Sequence, residues 1–190
     1  MHYFKTFQEK ETSMKKLSLL IIALCLFVGF SSSAVFAKAI GVKGGYTMPK
    51  DDLKDYDDAW AFGVYFDMGT FLINSLDFRP GVDMFTLENP DTNMAVDVWG
   101  IHFDWYWHFL DKGSISPFLG FGPVLNYYDF DDDDTSDEDS DAGVDLFLGL
   151  DLKIGGTPLS LMIEGRYKFL DIAARDETAI QANLGVAYNF

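Results

Sequence analysis

The sequence predicts an all-β fold, an eight-stranded antiparallel up-and-down transmembrane β-barrel. Three observations predict it. Apolar and polar residues alternate with a period of two through eight segments, an export signal precedes those segments, and the last segment ends on an aromatic residue. A strand with one apolar face requires that alternation, because successive side chains point to opposite sides of the chain.

The first segment places Ile40, Val42, Tyr46 and Met48 on one face and Gly41, Lys43, Gly45 and Thr47 on the other. The second sets Trp60, Phe62, Val64, Phe66 and Met68 against Ala61, Gly63, Tyr65 and Asp67. In the third, Leu76, Phe78, Val82 and Met84 oppose Asp77, Arg79, Gly81 and Asp83, and Pro80 calls for a bulge or weakened pairing. The fourth changes phase: Met94, Val96 and Val98 alternate, then Trp99, Ile101, Phe103, Trp105, Trp107 and Phe109 continue one residue out of step. A β-bulge at Val98-Trp99 is expected to restore one apolar face, leaving Asp97, Gly100, His102, Asp104 and His108 opposite.

The fifth segment, Ile115 to about Tyr128, is glycine-rich, and Leu119, Phe121, Leu125 and Tyr127 are assigned outward. The sixth carries Val144, Leu146, Leu148, Leu150, Leu152 and Ile154 against Asp145, Phe147, Gly149, Asp151 and Lys153. The seventh opposes Leu159, Leu161, Ile163, Tyr167 and Phe169 to Ser160, Met162, Glu164, Arg166 and Lys168. The eighth opposes Ile180, Leu184, Val186, Tyr188 and Phe190 to Gln181, Asn183, Gly185, Ala187 and Asn189. An even number of strands can close and remove the unpaired edges of an open sheet.

Ahead of the strands, Met14-Lys15-Lys16 and the apolar run Leu17 to Phe30 lead into Ser31, Ser32, Ser33 and Ala34-Val35-Phe36-Ala37. A basic start, an apolar stretch and small residues form a secretory signal, with cleavage expected after Ala37. The run is shorter than the about 20 apolar residues of a spanning helix. The organisation is therefore an upstream extension at 1–13, set by start-codon choice, a cleaved signal at 14–37 and a barrel at 38–190. The one cysteine, Cys25, falls inside the signal, so the barrel has no disulfide and no cysteine metal site.

A soluble eight-stranded barrel shares the same period. The membrane alternative reverses the faces, with an apolar band outside and charges in the lumen. Continuous apolar faces, charges of both signs at matching depth on the opposite faces, and aromatics gathered near strand ends (Tyr46, Trp60, Trp105, Trp107, Tyr127, Tyr188) all favour the membrane barrel. Connections alternate in character. Pro49–Asp57, Leu87–Asn93, Asp129–Ala142 and Leu170–Glu177 are longer or more polar, whereas Leu110–Ser114 and Gly155–Pro158 are tight and Gly69–Ser75 is a somewhat longer turn. That pattern puts both termini in the periplasm.

The closing stretch Gly185-Val186-Ala187-Tyr188-Asn189-Phe190, together with Ser116-Pro117-Phe118-Leu119-Gly120-Phe121-Gly122 and Glu164-Gly165-Arg166-Tyr167, resembles the small OmpA-like, OmpX-like and OmpW-like outer-membrane barrel family. The resemblance implies a bacterial outer-membrane location. It also implies that Gly185, Tyr188 and Phe190 form the signal read by the barrel-assembly machinery. Partners are then outer-membrane lipid and lipopolysaccharide, with periplasmic chaperones in transit, and a monomer is expected.

A net charge of -16 argues against nucleic acid as a partner. The interior of an eight-stranded barrel is only wide enough for side chains to fill. Asp77, Arg79, Asp83, Asp151, Lys153, Glu164, Arg166 and Lys168 are accordingly expected to form a polar network that plugs the lumen. His102, Asp104 and His108 invite a metal or catalytic reading. Two histidines six apart on one strand face stand about 20 Å apart, however, too far to share an ion. Ser114 and Ser116 surround an expected periplasmic turn near His108, and no spacing here is diagnostic of a serine hydrolase, so no enzyme and no cofactor are expected.

Residues 129–141 hold eight Asp and one Glu among thirteen. Asp129, Asp131 and Asp133 mimic the start of a calcium loop, with Asp137 and Asp139 further weak candidates, but Asp134 replaces the turn glycine and Ser140 the closing glutamate. A solvated loop is the expectation. Three function classes follow: a structural, envelope-integrity barrel with a plugged lumen, a small channel or hydrophobe-uptake barrel, and a surface binder of divalent cations or ligands acting through the acidic third loop.

Overall fold

The computed structural model describes residues 37–190 apart from 51–52, 54, 71–73, 92–93, 111–112, 132–137 and 173–174. The export signal and its upstream extension thus fall outside the described residues, Ala37 excepted. Eight strands follow in chain order: β1 (Ala39–Lys50), β2 (Ala59–Asp67), β3 (Leu76–Asn89), β4 (Met94–His108), β5 (Ile115–Asp131), β6 (Glu138–Lys153), β7 (Leu159–Ile172) and β8 (Arg175–Asn189). Each pairs antiparallel with its neighbour, and β1 pairs with β8 to close the barrel.

The register fixes the geometry. From Lys43 the register partners lead through Gly63, Asp83 and Gly100 to Asn126 on β5. The opposite route leads through Gly185, Met162 and Asp151 to Ser116 on the same strand, ten residues away. A stagger of ten over eight strands corresponds to a tilt of about 40°.

The two faces separate as the alternation requires. Val42, Phe62, Val64, Phe121, Leu146, Leu148, Ile163 and Leu184 point outward and are exposed, while Lys43, Asp83, Glu164, Arg166, Lys168 and Gln181 point inward and are buried. Exposed Tyr46, Trp60, Trp99 and Tyr127 gather toward the end that carries the β1–β2 and β5–β6 connections. Trp107, Phe109, Tyr188 and Phe190 gather toward the end that carries the chain's C-terminus. Trp105 differs from its expected girdle role: it is buried against Phe78, with ring centres 4.8 Å apart. Outside the barrel near the loop end, Asp97 is exposed and accepts a hydrogen bond from Thr86 Oγ1 at 2.6 Å.

Two further expectations are corrected. The bulge at Val98-Trp99 does not exist: β3 and β4 pair without a break from Leu76↔Trp107 to Asn89↔Met94. Val96 and Val98 point inward, and Asp97 points out. The phase change arises because the loop end of the lumen is itself apolar. There Leu53, Ala59, Ala61, Phe85, Leu87, Val96, Val98, Tyr128, Leu170 and Ala179 pack together, with Tyr56 against them. The second correction concerns the connections. Much of the expected loops is strand, since β5 pairs with β6 as far as Asp129↔Glu138 and β7 with β8 as far as Ile172↔Arg175.

Proline weakens the ladders where it sits. The β2–β3 ladder stops at Tyr65↔Gly81, beside Pro80, and Met68 and Gly69 then bond to Phe78 at 2.9 and 3.1 Å. Gly69 turns the chain with a φ of 75°, a region that glycine adopts without a side-chain clash. The β4–β5 ladder skips Phe103 and Asp104, opposite Pro123 and Gly122. A missing amide proton accounts for both lapses.

Candidate functional site in the lumen

The lumen is filled in layers. In its middle Arg166, 1% exposed, is held by three carboxylates from three other positions. Its Nη2 donates to Asp104 Oδ2 at 2.5 Å, Nη1 to Asp145 Oδ2 at 3.0 Å and Nε to Glu164 Oε1 at 3.0 Å. Its guanidinium also stacks over Phe147, 4.4 Å from the ring centre. Glu164 accepts further bonds from Tyr106 Oη at 2.8 Å and Asn183 Nδ2 at 2.9 Å. Gly120 is obligatory beside this layer, because a Cβ there would collide with the Phe147 ring and the Trp105 carbonyl.

A second ionic group adjoins the first. Lys168 Nζ donates to Asp83 Oδ2 at 3.1 Å and lies 3.6 Å from Asp145. Lys43 lies 3.6 Å from Asp83. His102 bridges the groups, with Nε2 2.8 Å from Asp83 Oδ1 and Nδ1 3.1 Å from Arg166 Nη1. Asp145 Oδ2 lies 3.4 Å from the same Nδ1, so carboxylates face both ring nitrogens.

Toward the termini the lumen opens into a cavity of about 220 Å³. Arg79 spans it, donating from Nε to Asp67 Oδ2 at 3.1 Å and from Nη2 to Asp151 Oδ2 at 2.6 Å. Asp77, His108 and Ser116 share the same wall. His108 Nδ1 lies 2.9 Å from Ser116 Oγ and its Nε2 3.1 Å from Asp77 Oδ2.

Of the eight residues expected in the plug, Arg166, Glu164, Lys168 and Asp83 enter the central groups. Arg79, Asp151 and Asp77 belong to the cavity at the termini end. Lys153 is exposed at the mouth of that cavity rather than buried. Sequence reasoning left Lys43, Tyr106, His102 and Asp104 out of the network. Their inward parity was the available signal. The two histidines of β4 join separate groups.

Among the described residues no group of three or more His, Cys, Asp or Glu is placed to hold a metal ion. Asp129 is exposed, whereas the side chains of Asp131, Asp133, Asp137 and Asp139 lie outside the described residues. At the C-terminus Gly185 faces inward, and Tyr188 and Phe190 are exposed with ring centres 5.7 Å apart.

A family model described as the outer membrane protein beta-barrel domain matches residues 22–190. Among solved structures, the chain is similar to neisserial surface protein A, at 15% identity and a TM-score of 0.65, over 80% of this chain and 96% of that one. It is similar to Ail, the attachment invasion locus protein of Yersinia pestis, at 13% identity and a TM-score of 0.54, over 80% and 97%. It is also similar to the outer membrane protein OprG of Pseudomonas aeruginosa, at 13% identity and a TM-score of 0.52, over 81% and 96%. No curated protein matches the sequence.

Proposed function

This chain belongs to the outer membrane protein beta-barrel family, and we propose that it serves the bacterial outer membrane as a structural barrel whose lumen is plugged. The observation that carries this reading is Arg166. A fully buried guanidinium with carboxylates on several sides fills the middle of a lumen already as narrow as eight strands make it. Above it the apolar cluster closes the loop end, so two seals of different chemistry lie in series. Monomers reconstituted in planar bilayers are expected to give no large, stable conductance steps. Such steps from the wild-type protein would contradict the reading.

A second reading, uptake of hydrophobic solutes, draws support from that same apolar cluster at the loop end and from the ladder lapses at Pro80 and Pro123. Liposome-swelling assays with small apolar solutes separate the two. Export by the signal at 14–37, cleavage after Ala37 and recognition of Gly185, Tyr188 and Phe190 by the assembly machinery complete the proposal. The exposure of Tyr188 and Phe190 on the final strand supports the last of these.

A further inference from the structure

We propose that the cavity at the termini end is a hydrolytic site for short-chain acyl esters, with Ser116 as nucleophile, His108 as general base and Asp77 as the group that orients the histidine. Three adjacent strands supply the three residues, β5, β4 and β3, and all three side chains line one cavity. The imidazole reaches both partners at once, through Nδ1 to Ser116 Oγ at 2.9 Å and through Nε2 to Asp77 Oδ2 at 3.1 Å. A carboxylate facing Nε2 keeps the proton on that nitrogen and leaves Nδ1 free to accept the serine proton. Asp151 Oδ2, 3.9 Å from Nε2, adds a second negative charge on the same side. The Nε2 contact to Asp77 is imperfectly aligned as a hydrogen bond, a condition that catalytic contacts commonly show before substrate binds.

The reaction balances without any further reagent than water. Ser116 Oγ bonds to the acyl carbon as its proton passes to His108 Nδ1. The ester C–O bond breaks, and the departing alkoxide takes that proton. A water molecule, deprotonated by the same nitrogen, then cleaves the acyl-serine and restores the hydroxyl. Arg79 and Lys153 put positive charge on the cavity wall, Arg79 being paired there with Asp67 and Asp151. A volume of about 220 Å³ accommodates a short acyl group.

The test uses the folded barrel in detergent, with a fluorophosphonate probe and p-nitrophenyl acetate. The expected result is a phosphonate adduct that peptide mapping places on Ser116. Ester hydrolysis should fall to the lipid-and-detergent background in Ser116→Ala and by about a hundredfold in His108→Gln. Heat-modifiable migration on gels identifies the variants that still form barrels, and the mapped adduct on wild-type protein needs no variant. No adduct on Ser116, or hydrolysis unchanged in a folded Ser116→Ala, would overturn the proposal, because a serine that only fills the mouth of the lumen is not phosphonylated and adds nothing to the background that accessible lysines and histidines give.

Discussion

Arg166 and Leu87 both point into the barrel and are hidden to the same degree, at 1% and 0% exposure, but what surrounds them has nothing in common. The arginine is held by Asp104, Asp145 and Glu164. The leucine is held by Phe85, Val96, Val98 and Tyr128, with Leu53 reaching in from the β1–β2 connection. The difference teaches how a narrow lumen can be closed. An apolar seal needs only volume, which a neighbouring loop can supply. An ionic seal needs each partner in place, because a charge left behind in the interior has no water to turn to.

The largest expected effect breaks the ionic side. Arg166→Ala strands three buried carboxylates and should lower unfolding stability by about 3–5 kcal/mol, without opening a measurable pore. Urea unfolding in lipid vesicles measures the first and planar-bilayer recording the second. An unchanged midpoint would show that the pairs do not hold the middle of the barrel.

Leu87→Ala should cost about 2–3 kcal/mol, toward the low end for a buried leucine, because Leu53 and Tyr56 sit on a connection that can settle into the space. The same unfolding assay decides. A loss larger than that of Arg166→Ala would reverse the ranking of the two seals.

The smallest effect lies at their boundary and carries the opposite sign. Thr47 Oγ1 is fully buried with no hydrogen-bond partner among the described residues. Thr47→Val should therefore stabilise the barrel by about 1 kcal/mol. Destabilisation would mean that the hydroxyl holds an ordered water between the two layers.

The same contrast explains what the sequence made legible. All eight strands could be read from alternation, since the outward face is apolar over most of its height, up to Asp97. The error at Val98-Trp99 came from assuming that every apolar residue points outward. Val96 and Val98 break that assumption because the lumen changes chemistry along its length. The serine–histidine–aspartate arrangement was equally hidden. Asp77 stands more than thirty positions before Ser116, and only the β3–β4 and β4–β5 registers bring it across to His108. Connection lengths misled for a different reason, since acidic composition marks solvent exposure and says little about whether a hairpin keeps its pairing.

Asp97 sets a depth. Its exposed carboxylate, bonded by Thr86 on the outer wall, cannot sit in hydrocarbon at little cost, so the lipid must end just below it. From Trp99 the chain runs to Phe109 with Ile101 and Trp107 exposed between them, while Phe103 and Trp105, at the same parity, are buried. Ten residues of tilted strand rise about 25 Å. An average bilayer core is about 30 Å thick, and the bacterial outer membrane is thinner than average. The barrel therefore carries its own thickness gauge: the outer membrane meets its apolar band without deformation, and a thicker bilayer would have to thin around it.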